Sequence, residues 1–229
     1  MRQTLTKSSR RFREPEPAWD VAQLFPPQGS WSEEEYLALD GNRIVEFSDG
    51  YIEVPPMPTT SHQMMVAFLY GLLLSFVTRR KLGTALFAAL PVRLRREKFR
   101  EPDVVFMLKE HTRRISEEFW QGADLVMEVV SGSKKDRRRD LITKRKEYAR
   151  AGISEYWIVD PREVYVTVLR LEGKRYKVHG NFSKGQTAAS VLLPGFSVDV
   201  NELFSQRLTK ENHRRPRRKP ESISIVGNA

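Results

Sequence analysis

Two apolar segments that each carry one carboxylate constrain the fold of this chain most strongly. The first begins with Glu-Pro-Asp at 101–103 and continues as Val-Val-Phe-Met-Leu, and the second is Leu-Val-Met-Glu-Val-Val at 125–130. Such runs predict buried strands. A carboxylate within a buried strand is costly to desolvate unless a cation or a donor pairs with it. Asp103 and Glu128 are therefore either ligands of one metal or members of separate salt bridges.

Helices and further strands are predicted around these two segments. Residues 62–79 are apolar nearly all round and predict a central helix, with Ser61 as its N-cap. Residues 136–151 predict a second helix that ends at Gly152. Further strands are predicted at 43–47, 51–54, 83–96, 155–159, 164–171 and 174–179, and short helical segments at 32–36, 115–120 and 201–204. This alternation predicts an α/β fold with a mixed β-sheet, flanked by helices and edged by β-hairpins.

The balance of charge favours a polyanionic partner. The formal net charge is +10 and the pI is about 9.9. A basic surface that only confers solubility is the alternative. The absence of cysteine excludes a disulfide framework and a cysteine nucleophile, and it agrees with a cytoplasmic location. The apolar run at 64–77 is short for a membrane span, so no membrane association is predicted.

Both ends of the chain are basic and have little apolar surface to bury. Residues 1–17 are predicted to form a flexible arm, and residues 205–229 a disordered tail. A single folded domain is predicted between them, at 18–204.

The second predicted helix brings a basic side chain toward the two carboxylates. Asp136, Asp140, Lys144 and Tyr148 recur every four residues and so share one stripe of the helix. From this stripe Lys144 could reach over the sheet toward Glu128 and hold a water or a phosphate oxygen. An ordinary surface pair between Asp140 and Lys144 would explain the same spacing.

Six motifs, taken in order, resemble the Uma family of bacterial restriction-endonuclease-like proteins, within the PD-(D/E)XK nuclease superfamily. They are Glu-Phe-Ser-Asp-Gly at 46–50, Pro-Thr-Thr-Ser-His-Gln at 58–63, Glu-Pro-Asp at 101–103, Leu-Val-Met-Glu-Val-Val-Ser at 125–131, Asp-Leu-Ile-Thr-Lys at 140–144 with Tyr148, and Ala-Gly-Ile-Ser-Glu-Tyr-Trp-Ile-Val-Asp-Pro at 151–161. The resemblance covers roughly residues 18–204.

The resemblance implies a restriction-endonuclease-like core and Mg²⁺-dependent cleavage of DNA, with Mn²⁺ as a substitute. Asp103 and Glu128 would be the metal ligands. The superfamily places lysine two residues after the acid, where this chain has Val130, and Lys144 would replace that lysine. A catalytically inactive nucleic-acid-binding protein that retains the nuclease fold is the alternative.

Further site residues follow from the same resemblance. Glu46 matches an acidic residue near the start of the superfamily core, and His62 would touch a phosphate or line the pocket. Tyr148 and Trp157 are expected to be core aromatic residues. Independently of the resemblance, a set of basic side chains follows the second carboxylate-bearing strand: Lys134, Lys135, Arg137, Arg138 and Arg139. These side chains would grip DNA phosphates without sequence preference, and a solvated start of the helix is the alternative. Dimerisation stays open, because nucleases that cut both strands are commonly dimers.

Overall fold

The computed structural model describes residues 25–39, 44–132 and 134–208, without the side chains of Lys134 and Lys135. The predicted arm at 1–17 and most of the predicted tail at 205–229 therefore lie outside the described residues.

Short strands and five α-helices make up the described residues. The strands are β1 (Glu46–Ser48), β2 (Tyr51–Glu53), β3 (Gly83–Phe87), β4 (Val92–Arg95), β5 (Lys98–Arg100), β6 (Val104–Leu108), β7 (Trp120–Gln121), β8 (Leu125–Val129), β9 (Glu155–Asp160), β10 (Tyr165–Glu172), β11 (Arg175–Ser183), β12 (Thr187–Ala189) and β13 (Ser197–Asp199). The helices are α1 (Glu33–Leu37), α2 (Thr60–Arg80), α3 (Lys134–Arg138), α4 (Lys144–Ala151) and α5 (Val200–Ser205). A 3-10 helix spans Lys109–Arg114, and a π-helical turn at Arg139–Thr143 joins α3 to α4.

A six-stranded mixed sheet forms the centre, in the order β11-β10-β9-β8-β6-β3. Strands β8 and β9 are parallel, and the other neighbouring pairs are antiparallel. A parallel pair needs a crossover connection, which α3, the π turn and α4 supply. The carboxylate-bearing strands β6 and β8 are neighbours at the centre of this sheet, as the candidate site requires.

Helix α2 covers one face of the central sheet. Its buried residues include Met65, Leu69 and Leu73, which pack with Phe106 and Met127 of the sheet. Among the described residues there is one helix, α2, whose length and apolar composition alone would allow it to cross a membrane. That is weak evidence, because the core helix of a globular domain passes the same test, and α2 packs as such a helix.

Helix α4 and a second sheet cover the opposite face. This sheet has five strands, in the order β2-β1-β5-β4-β7. Tyr148 of α4 packs with Val126 and Tyr156 of the central sheet and with Val92 of β4. The predicted α/β fold with a mixed sheet, helices and added hairpins is confirmed.

Turn and cap residues explain two of the local elements. The hairpin between β1 and β2 turns at Asp49 and Gly50, which have φ values of 51° and 84°. Asp-Gly suits this turn because both central residues need positive φ. Helix α1 begins after Ser32, whose hydroxyl accepts from the Glu35 N–H while the Glu35 carboxylate accepts from the Ser32 N–H.

Three local predictions were wrong. Thr59, not Ser61, caps α2, since the Thr59 hydroxyl accepts from the His62 N–H at 3.2 Å. The helical turn predicted at 115–120 is absent, because the 3-10 helix ends at Arg114 and Trp120 is buried on strand β7. The helix predicted at 136–151 begins earlier, at Lys134, and a π turn interrupts it.

Candidate active site

A cavity of about 70 Å³ lies at the ends of β6 and β8, beside the start of α2 and the π turn. One water takes up about 30 Å³ of liquid volume, so the cavity has room for about two water-sized species, such as a cation and one water. Its charged and polar lining consists of Glu46, His62, Gln63, Glu101, Asp103, Glu128, Ser131, Arg139, Asp140 and Lys144. All five side chains for which the sequence predicts a catalytic role are in this set.

Strand pairing brings Asp103 and Glu128 together. Val104 of β6 pairs with Met127 of β8, so the next residue outward on each strand stands opposite the other. Asp103 Oδ2 accepts from the Val129 N–H at 2.7 Å, which fixes this carboxylate against β8. The two carboxylates predicted to converge therefore line one cavity.

Lys144 reaches back from α4 to the same place. Its ammonium lies 2.8 Å from Glu128 Oε1 and 3.1 Å from Glu46 Oε1. Burial would lower the pKa of Lys144, but the negative charges of Glu128 and Glu46 outweigh burial and raise it. Lys144 therefore stays charged although it is buried.

Two side chains of α4 bind the Glu128 carboxylate. The Tyr148 hydroxyl donates to Glu128 Oε1 at 2.5 Å, on the same oxygen that accepts from Lys144. Burial raises the pKa of Glu128, Lys144 opposes this effect, and the like charges of Asp103 and Asp140 add to it. The site thus holds more negative charge than its own cations compensate, which favours binding of a further cation.

Glu46 is buried, although it lies on a short edge hairpin. Arg100 of β5 donates to Glu46 Oε2 at 2.6 Å, opposite the contact of Lys144 with Glu46 Oε1. Burial alone would raise the pKa of Glu46, but Lys144 and Arg100 outweigh it and lower the pKa to about 2. The structure therefore brings Glu46 to the site as an ionised partner of Lys144.

Arg100 is a buried residue beside the site that the sequence did not predict. Besides Glu46 it binds Glu53 at 2.8 Å and Glu147 at 2.8 Å. The one available signal is the Lys-Phe-Arg alternation at 98–100 next to Glu-Pro-Asp, and its partners are too distant in the chain to be read from that pattern.

Glu101, the first residue of the Glu-Pro-Asp motif, also lines the cavity. Its Oε1 accepts from the Val45 N–H at 3.1 Å, while Oε2 is buried without a hydrogen-bond partner among the described residues. Burial raises the pKa of Glu101 to about 7. The motif itself was the signal that could have assigned Glu101 to the site.

His62 joins α2 to the site. Its Nε2 lies 3.2 Å from Asp103 Oδ2 and 3.1 Å from the Val129 carbonyl oxygen. Burial would lower the pKa of His62, but the hydrogen bond and the charge of Asp103 outweigh burial and raise it. His62 is thus in direct contact with a predicted metal ligand.

The predicted DNA-binding residues have different environments. Arg137 forms a bidentate pair with Asp160, at 2.9 and 2.7 Å, and Arg139 pairs with Asp136 and Asp140. These two guanidinium groups are engaged within the protein, whereas Arg138 is exposed. The side chains of Lys134 and Lys135 lie outside the described residues.

The donor set fits magnesium. Among the described residues, no three His, Asp or Glu side chains converge closely enough to hold a metal by themselves. Mg²⁺ commonly binds through one or two carboxylates and keeps several waters. Asp103 and Glu128 would supply the two carboxylates, and Glu101 Oε2, which has no hydrogen-bond partner among the described residues, would accept from a bound water.

Comparisons with known proteins identify the family and the fold. Residues 33–201 match the sequence model of the Uma2 family, described as "Putative restriction endonuclease". The crystal structure of "a putative nuclease belonging to DUF820" from Anabaena variabilis ATCC 29413 matches with a TM-score of 0.63 and 18% identity, over 78% of this chain and 99% of that chain. No curated protein matches the chain. The predicted resemblance and restriction-endonuclease-like core are confirmed.

Proposed function

The chain belongs to the Uma2 family, and from this membership we propose that it is a magnesium-dependent endonuclease that hydrolyses phosphodiester bonds in DNA. The family description and the nuclease-like fold support nuclease activity. The net charge of +10 supports a polyanionic substrate.

The buried Lys144 ammonium is the observation that carries the proposal. It lies between Glu128 and Glu46 at the cavity that also contains Asp103. Taking a lysine out of water is costly, and a structural ion pair could be placed at the surface for less. A charged lysine beside two strand carboxylates and a small cavity matches what phosphodiester hydrolysis needs.

Asp103 and Glu128 would hold the magnesium. When bound, the metal supplies charge neutralisation at a phosphate and lowers the pKa of a water. His62 holds Asp103 in place through its 3.2 Å contact. Tyr148 and Lys144 both bind Glu128 Oε1, so the second carboxylate oxygen of Glu128 is left to face a ligand.

Lys144 orients the water and stabilises the transition state. An ammonium has three N–H donors. Two of them face Glu128 and Glu46, and Asp140 Oδ1, at 3.9 Å, is too far away to accept a hydrogen bond from the third. That third donor is available to a water oxygen or to a phosphate oxygen. As the water oxygen bonds to phosphorus and the ester bond breaks, the ammonium offsets the growing negative charge.

The test is nicking of supercoiled plasmid DNA with Mg²⁺, Mn²⁺ or EDTA. Asp103→Asn should abolish cleavage, and Lys144→Met should lower its rate by about 100-fold or more, the usual cost of losing one preorganised donor. Asp49→Asn is the matched control, because this residue lies in an exposed turn and asparagine tolerates its positive φ. The control should cleave at the rate of the unsubstituted protein.

Binding of DNA without cleavage in any metal, by the unsubstituted protein and by Asp103→Asn alike, would overturn the proposal. That result would favour the alternative, a nucleic-acid-binding protein that retains the nuclease fold.

A further inference from the structure

A second concave surface, on another side of α4, is lined by cations. This groove of about 550 Å³ lies between α4 with the π turn on one wall and the β10–β11 hairpin on the other. We call it the α4 groove, and its lining residues are Leu141, Ile142, Arg145, Lys146, Ala149, Arg150, Lys174, Arg175 and Tyr176. Five of these nine residues are basic and none is acidic.

The positive charge of the α4 groove is uncompensated. None of its five cations forms an ion pair with a carboxylate of the described residues. Of these five cations, Arg145 alone forms a side-chain hydrogen bond within the described residues. Its guanidinium donates to the Tyr176 carbonyl oxygen at 3.3 Å, and this neutral acceptor adds no full negative charge. Arg137 and Arg139 near the cavity are, by contrast, neutralised by aspartates. A groove lined by positive charge alone focuses the electrostatic field and attracts polyanions.

The helical phase of α4 separates the groove from the cavity. Lys144 lines the cavity, whereas Arg145 and Lys146 follow it by one and two residues, which is about 100° and 200° around the helix. An α-helix with its side chains is about 10–12 Å across. That width corresponds to roughly three base-pair rises of 3.4 Å.

We propose that the α4 groove binds the phosphodiester backbone of DNA a few base pairs from the scissile phosphate. The proposal rests on the proposed function in taking DNA as the ligand. Two facing basic walls suit a strand that lies between them. The apolar floor, in which Ile142 is 49% exposed, supports the aliphatic stems of the basic side chains. The concave shape disfavours a flat lipid surface.

Binding of a fluorescent 20-base-pair duplex, followed by anisotropy in EDTA between 50 and 200 mM salt, tests the proposal without cleavage. The groove variant is Arg150→Gln/Arg175→Gln, in which both residues are exposed. Arg113→Gln/Arg114→Gln, on the exposed 3-10 helix, removes the same charge elsewhere. The logarithm of the association constant falls linearly with the logarithm of the salt concentration, and each lost phosphate contact lowers the magnitude of that slope by about 0.9. We expect the groove variant to lower it by up to about 1.8 and to weaken binding at least about tenfold at 100 mM salt, and the control to change neither.

A second groove pair, Lys146→Gln/Lys174→Gln, should reproduce the effect and guards against a fold defect in the first. Equal slopes for the groove variants and the control would overturn the proposal, even if the protein cleaves DNA. Groove-dependent binding of duplex RNA or of anionic phospholipid vesicles, but not of duplex DNA, would overturn it as well. A lowered slope in a protein that fails to nick plasmid would uphold the groove and reject only the proposed catalysis.

Discussion

At the scale of single residues, Arg100 organises the charged side of the site. It bridges Glu46, which also binds Lys144, to Glu147 of α4. A bidentate guanidinium suits this position because its donors are fixed in one plane. Asp103 and Glu128 are recognisable in the sequence as single acids beside or within apolar strands. Arg100 instead ends a three-residue strand that begins with Lys98, and Glu101 follows it. The partners of Arg100 come from positions 46, 53 and 147, which no local pattern relates.

Arg100→Met should destabilise the protein by about 3–5 kcal/mol, because it leaves buried carboxylates without their cation. Urea unfolding measures this change. Arg95→Met is the control, since Arg95 pairs with Asp49 at an exposed site and such pairs contribute about 0–1 kcal/mol. A loss for Arg100→Met as small as that of the control would mean that Lys98 and Lys144 suffice to hold the two glutamates.

The Glu46 carboxylate makes stability depend on pH. Its pKa in the folded state is about 2, against 4.5 for an unperturbed glutamate. A lowered pKa stabilises the fold above pH 4.5, and this contribution is lost as the pH falls toward 2. The difference in unfolding free energy between the unsubstituted protein and Glu46→Gln should thus shrink by roughly 3 kcal/mol over that range. Glu118→Gln, at an exposed position, should differ little at any pH; a constant difference for Glu46→Gln would contradict the assignment.

At the scale of elements, the crossover between β8 and β9 positions the lysine. Asp103 and Glu128 depend only on strand pairing, which the apolar patterns predict. Lys144 depends on the π turn at Arg139–Thr143, where the helix takes a wider turn. Of the predicted stripe, Asp140 and Lys144 line the cavity and Tyr148 reaches Glu128, whereas Asp136 lies outside the cavity and pairs with Arg139. The π turn itself leaves no signal in the propensities of Arg-Asp-Leu-Ile-Thr, so the sequence predicted a regular helix there.

The N-terminus of α2 offers a test of the corrected helix cap. Thr59→Ala should cost about 1 kcal/mol in urea unfolding, because its hydroxyl accepts from the His62 N–H. Ser61→Ala should stay within about 0.5 kcal/mol, since among the described residues the Ser61 hydroxyl accepts only from the N–H of the exposed Leu208. A larger loss for Ser61→Ala than for Thr59→Ala would restore the original prediction.

At the scale of the whole molecule, negative and positive charges are segregated. Five carboxylates face the small cavity, namely Glu46, Glu101, Asp103, Glu128 and Asp140. Five cations without acidic partners among the described residues line the α4 groove. The net charge alone predicted a polyanionic partner but not where it binds, because pairing inside the fold decides which basic residues keep their charge uncompensated. A cytoplasmic location, dimerisation and the domain limits at 18–204 stay predictions.

Magnesium should stabilise the folded protein as a whole. A ligand that binds only the folded state adds about 2.7 kcal/mol at a concentration of 100 times its Kd. Differential scanning fluorimetry with MgCl₂, against NaCl at equal ionic strength, should therefore show a higher Tm that EDTA reverses. Asp103→Asn should lose most of this shift, and Asp49→Asn should keep it. The same rise in both salts would argue against a specific site.

The parallel pairing of β8 with β9 bears on when the candidate site can assemble during synthesis of the chain. Arg137 binds Asp160 and the Tyr156 hydroxyl donates to the Asp140 carbonyl, so β9 holds the segment that carries Lys144. A nascent chain that has already made Asp103 and Glu128 still lacks this support until residue 160 has left the ribosome and paired. We expect a chain that stops before β9 to contain both acids but to lack these two contacts, so that nothing from β9 holds Lys144 beside Glu128.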